Sequence, residues 1–100
     1  MKFFVDTSIY VDCLRKNPVS ASTSFLKSLQ KINIDRDIAL EGGRIYSFLV
    51  KNGEEIELND CLIAAAASSA GIHEIVTRNT KHFKRIKGIK PITPEELGFE

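Results

Sequence analysis

Phe3-Phe4-Val5-Asp6-Thr7-Ser8, near the start of the sequence, sets the frame for the rest of the chain. Three apolar residues run straight into a carboxylate. A short apolar run bounded by polar residues reads as a buried strand. The phenylalanines and Val5 can bury, whereas Asp6 cannot unless something offsets the cost of its charge. The simplest arrangement puts Asp6 at the carboxyl end of a parallel strand, the edge at which open α/β sheets hold their ligands. Thr7 or Ser8 then caps the next helix through its hydroxyl. Read alone, Asp6 is as much a turn residue or cap as a functional acid. The rest of the chain bears on that choice.

Working outward, residues 7–15 form a helical pattern with Ile9, Tyr10, Val11 and Leu14 on or near its apolar side. Asp12, in this helix, faces either the same pocket as Asp6 or water. Asn17-Pro18 opens a second helix, to about residue 30. Ile32-Asn33-Ile34 is a short strand candidate. Asp35 caps a third helix with apolar positions at Ile38, Ile45, Tyr46, Leu49 and Val50. Gly42-Gly43 interrupts it at about 1 kcal/mol per glycine relative to alanine. Two adjacent glycines there imply close approach of another backbone, a kink, or a scar in the sequence. Asn52-Gly53 ends the helix in a left-handed cap, and Glu54, Glu55 and Glu57 form a solvated loop.

Asn59-Asp60-Cys61-Leu62-Ile63-Ala64-Ala65-Ala66-Ala67 is the second informative stretch. Alanine is the strongest helix former, and a helix apolar on all sides is buried against its neighbours. Asp60 sits in its first turn, where the helix dipole favours a carboxylate, or serves there only as a cap. Gly71 closes the helix. His73-Glu74-Ile75-Val76-Thr77 repeats the grammar of the opening: an apolar strand that exits into polar Arg78-Asn79. Residues 80–85 make a short basic helix anchored by Phe83. Residues 89–92 make a last strand, placed at a sheet edge by Pro91, and Thr93-Pro94-Glu95-Glu96-Leu97 is a helix start. Strands separated by helices argue for a parallel sheet with helices on both faces. Asp6, Asp60 and Asn79 could then meet at one sheet edge.

One hundred residues make one domain, 1–100, with a modest core. With 43% hydrophobic and 27% charged residues the chain is globular, not disordered. The net charge of +1 is uninformative, but its distribution is not: residues 75–94 carry Arg78, Lys81, Lys84, Arg85, Lys87 and Lys90 and no acid. Such a segment is either a footprint for a phosphate-bearing partner or a solvated face. Cys13 and Cys61 fit a reduced, intracellular pair, and with His73 and His82 they lack the spacing of a zinc site. No run suits a bilayer, and Met1-Lys2-Phe3 leads into a strand instead of a signal peptide, so the expectation is a cytoplasmic protein.

Two carboxylates brought together repel unless a cation lies between them. Oxygen donors without soft ligands select Mg²⁺ or Mn²⁺. Such an ion supports phosphodiester hydrolysis, with Arg78, Lys81, Lys84 and Arg85 on the nucleic-acid backbone. Here the residues carry a resemblance. Phe4-Val5-Asp6-Thr7-Ser8-Ile9-Tyr10-Val11-Asp12 resembles the opening of PIN-domain nucleases, in particular VapC-type toxins of toxin–antitoxin pairs. Asn59-Asp60-Cys61-Leu62-Ile63-Ala64-Ala65 resembles their second motif. Val76-Thr77-Arg78-Asn79-Thr80-Lys81-His82-Phe83 resembles their last motif. The resemblance implies a three-layer α/β/α sandwich with a short parallel sheet and a Mg²⁺- or Mn²⁺-dependent endoribonuclease. It also implies a homodimer, an RNA substrate and an antitoxin partner. Asp6, Asp60 and Asn79 would be the catalytic and metal-binding residues, with Thr7, Asp12 and His82 as additional candidates.

The chain departs from the family pattern twice. A strand–helix segment carrying a further acid, usually Glu, is missing after the first helices. His82 stands where the last motif often has an acid. Asp12, Glu41 or an acid from a second subunit could replace the missing one. The absent strand should leave a sheet edge or an apolar face that a second chain covers. The leading expectation is a ribonuclease weakened by the missing acid. The alternative is a degenerate PIN domain that binds protein or RNA without cutting. An aspartate-nucleophile phosphatase would need a second acid where Ser8 stands. A bare flavodoxin-like binding module would lack any glycine-rich phosphate loop after a strand.

Overall fold

The computed structural model describes residues 4–6 and 33–98. The expected helices over 7–15 and 17–30, with Thr7, Asp12 and Cys13, lie outside them. The described elements are β1 (Phe4–Val5), α1 (Arg36–Lys51), α2 (Leu58–Ser69), β2 (Glu74–Val76), α3 (Thr80–Lys84), β3 (Lys90–Ile92) and a 3₁₀ turn, η1 (Glu95–Leu97). Among the described residues the strands form one sheet in the order β1-β2-β3, parallel throughout. Phe4 pairs with Ile75 and Val5 with Val76, while Pro91 sits opposite Ile75 on the other side of β2. Pro91 is thus on an outer strand of the described sheet, as its missing N–H requires. The α/β class and the parallel sheet are as the sequence implies.

The short strand expected at Ile32-Asn33-Ile34 does not form at Asn33 and Ile34. Asp35 Oδ1 accepts from Ile38 N at 2.9 Å, so the chain there is already turning into α1. Ile34 is left half exposed. Two isoleucines around a polar Asn33 carry too little apolar pattern to outweigh the cap beside them.

α1 runs through Gly42-Gly43 without a break. Of the three explanations for the glycines, close approach holds for Gly42. A Cβ there would lie 2.7 Å from Leu62 Cδ2 and 3.2 Å from Leu62 Cα of α2. At Gly43 a Cβ would meet nothing within 4 Å. Gly53 and Gly71 take positive φ just beyond α1 and α2, as helix-ending glycines do.

The core lies between the sheet and these helices. Leu49, Cys61, Ala64, Ala67, Ile75 and Phe83 form its centre, with Ile38, Ala65 and Ala66 in a second cluster. The alanine run lets α2 press against α1 on one side while burying against β2. Phe83 is fully buried and fixes α3, as its lone large side chain suggests. Tyr46 donates to Glu55 at 2.9 Å, and Arg85 Nη1 donates to the Glu55 carbonyl at 3.0 Å, fastening the acidic loop. Among the described residues no helix is long and apolar enough to cross a membrane.

Candidate functional site

Parallel pairing puts the carboxyl ends of all three strands at one edge. Side chains alternate along a strand, so Phe4 and Asp6 share a face, as do Ile75 and Thr77. The β1–β2 register then brings Asp6 beside Thr77. Asp6 N donates to the Val76 carbonyl at 2.9 Å, extending the ladder past the strand end. Thr77 Oγ1 donates to Asp6 Oδ2 at 2.6 Å and accepts from Asn79 N at 2.9 Å. Asp6 and Thr77 are both buried, at 2% and 0% exposure. Asp6 is therefore a held, desolvated carboxylate and no surface turn residue.

Asp60 reaches the same edge from the first turn of α2. It is buried, and its cap reading fails: Glu57 takes the N-cap position, and the Asp60 side chain bonds elsewhere. Asp60 Oδ2 and His82 Nδ1 lie 2.8 Å apart. The Asp60 pKa is raised, first by burial, with the charge of Asp6 adding to it. The bond to His82 pulls in the opposite direction. Asp60 thus feels the charge of Asp6, as an acid close to another does. Burial, with Asp60 adding to it, pushes the neighbouring Cys61 thiol up to about 11, so it stays protonated inside the core.

The sequence-predicted residues divide clearly. Asp6 and Asp60 come to one edge. Asn79 arrives there by its backbone, while its side chain is exposed and makes no cap bond to α3. His82 is not a bystander on the surface but the partner of Asp60. Arg78 Nη1 pairs with Glu95 Oε1 at 2.6 Å and Arg85 holds the loop carbonyls, so both have intramolecular duties. Lys81 and Lys84 are exposed on α3. Glu41 is exposed on α1 and pairs with Arg44 at 3.3 Å. Sequence reasoning gave Thr77 no role of its own; the signal was its register, two residues past Ile75 as Asp6 is two past Phe4.

The donor set suits a hard divalent cation in kind. A carboxylate whose ionisation is opposed by a neighbouring acid, as that of Asp60 is by Asp6, is relieved by a positive charge between them, and Mg²⁺ is commonly held by one or two carboxylates with water completing its shell. In number the set is small. Among the described residues no three His, Cys, Asp or Glu side chains converge as a ready metal site.

Residues 11–89 match the PIN domain family. The match spans Asp60, Asn79 and His82 and begins after Asp6. The chain is 33% identical over 66 residues to the tRNA(fMet)-specific endonuclease VapC of Salmonella typhimurium, covering 66% of this chain and 49% of that protein. The chain therefore spans about half the length of this curated relative. Its fold is similar to a chain in the crystal structure of DNA-bound VapBC from Salmonella typhimurium. The TM-score is 0.75 at 22% identity, with 93% of this chain and 98% of that chain covered. The edge that gathers Asp6, Asp60 and Thr77 thus sits on a known frame, and this chain belongs to the PIN-domain family, with VapC-type toxins as its likeness within it.

Proposed function

We propose that this chain carries a PIN-type endoribonuclease centre that hydrolyses RNA phosphodiesters with Mg²⁺ or Mn²⁺ held by Asp6 and Asp60. The observation that carries the reading is the pair of buried carboxylates at one strand edge, each fixed by a hydrogen bond from a neighbour. When bound, such an ion supplies charge stabilisation at phosphorus and an activated water. The chain's own residues do the rest. Thr77 orients Asp6, burial keeps competing water from both acids, and Asn79 stands at the exposed lip. Lys81 and Lys84 offer ammonium groups to the RNA backbone. Activity is reduced in this reading, since among the described residues the site has two acids where the family pattern implies one more. The VapC likeness supports an antitoxin as partner; a second copy of the chain and a cytoplasmic setting belong to the same reading.

The small donor set favours a second reading, a PIN domain that binds RNA or protein without cutting. One assay separates the two: cleavage of a structured RNA in Mn²⁺, with and without chelator, by the wild type and Asp60→Ala. Cleavage that needs both the ion and Asp60 supports the nuclease. Retention of RNA without cleavage in any divalent ion supports the binding module.

A further inference from the structure

His82 lies between the buried Asp60 and solvent. Its side chain is 38% exposed, that of Asp60 only 5%. Its place is fixed from below: His82 N donates to the Asn79 carbonyl at 3.1 Å, and the adjacent Phe83 is fully buried in the core. An ionised carboxylate only accepts, so with Asp60 ionised a 2.8 Å contact requires the imidazole proton on Nδ1. The bond occupies Oδ2. Among the described residues Oδ1 of Asp60 has no hydrogen-bond partner.

We propose that His82 is a positioning residue for Asp60: its Nδ1–H holds Oδ2, fixes the carboxylate's rotamer, and leaves Oδ1 for a divalent ion shared with Asp6. This rests on the reading of Asp6 and Asp60 as the ion's ligands. A carboxylate left to rotate in a buried site loses part of its affinity as a ligand, and neighbours that orient ligands are typically worth about 10- to 100-fold in metal affinity. The role needs only a donor at the Nδ1 position. Asparagine can place its amide N–H there, and alanine cannot.

Two measurements decide it. The first needs no metal: long-range ¹H–¹⁵N spectra of the His82 ring at about pH 8.5, where an ordinary imidazole is neutral. The wild type should show the Nδ1–H tautomer, and Asp60→Ala should lose it. The second is Mn²⁺ titration by calorimetry at the same pH. His82→Ala should bind about 10- to 100-fold more weakly than wild type, with His82→Asn recovering most of the loss. An Nε2–H tautomer in the wild type, or equal Mn²⁺ affinity in wild type and His82→Ala, overturns the proposal while leaving the metal reading standing. A wild type that shows the Nδ1–H tautomer but binds no Mn²⁺ overturns the metal reading and this proposal together.

Discussion

At the scale of the residue, Asp60 carries a strain that can be measured without any substrate. Burial and the charge of Asp6 raise its pKa in the folded chain above its ordinary 3.8. Between the ordinary and the raised range the folded chain keeps a proton that the unfolded chain has released, so stability falls as pH rises through that window. Asp60→Asn should abolish this fall and raise the melting temperature at neutral pH in a metal-free buffer, the reverse of what loss of a helix cap would do. Thr77→Val tests the other acid. It keeps the shape but removes the donor to Asp6 and the acceptor for Asn79 N. A loss of about 1–3 kcal/mol in denaturant unfolding is expected. The two acids were legible in the sequence because each is a charge beside an apolar run. Their partners were less so: His82 stood only as an additional candidate by its place in the last motif, and Thr77 had no role. Thr77 and His82 are ordinary residues until the strand register and the turn after β2 put them against Asp6 and Asp60.

At the scale of the element, the local signals for α1 and α2 agreed with the tertiary structure. Asp35, the alanine run, Gly53 and Gly71 each acted as their side chains, or lack of one, dictate. The glycine pair shows where local reading stops. Propensity prices Gly42 and Gly43 alike, but only Gly42 lies against Leu62. Gly43→Ala should stabilise the chain by about 0.5–1 kcal/mol. Gly42→Ala should destabilise it by about 1–3 kcal/mol, because a methyl group there would clash with Leu62 Cδ2 and crowd the Leu62 Cα, so that Leu62 has to shift. Urea midpoints of the two variants, moving in opposite directions, would check this. The failed strand at Ile34 has the same cause in reverse: a local cap decided the backbone, and hydrophobicity did not.

At the scale of the molecule, the basic segment is not one surface. Arg78 and Arg85 spend their charge on Glu95 and on loop carbonyls, whereas Lys81 and Lys84 are exposed on α3. RNA binding should therefore weaken in Lys81→Ala and Lys84→Ala for all sequences alike. The slope of log affinity against log salt should shrink by about 0.7 for each single-strand phosphate no longer neutralised. Arg85→Ala should instead loosen the loop around Glu54 and Glu55 and lower stability more than it changes that slope. Whether Asp6 and Asp60 form a site for a divalent ion is decided by calorimetric titration of Mn²⁺ into wild type and Asp6→Asn. Asparagine keeps an acceptor for Thr77 while removing the charge and turning the other oxygen into an N–H donor. The account predicts saturable binding by the wild type that disappears in Asp6→Asn. A folded wild type that takes up no Mn²⁺, or a variant that binds as the wild type does, would contradict it.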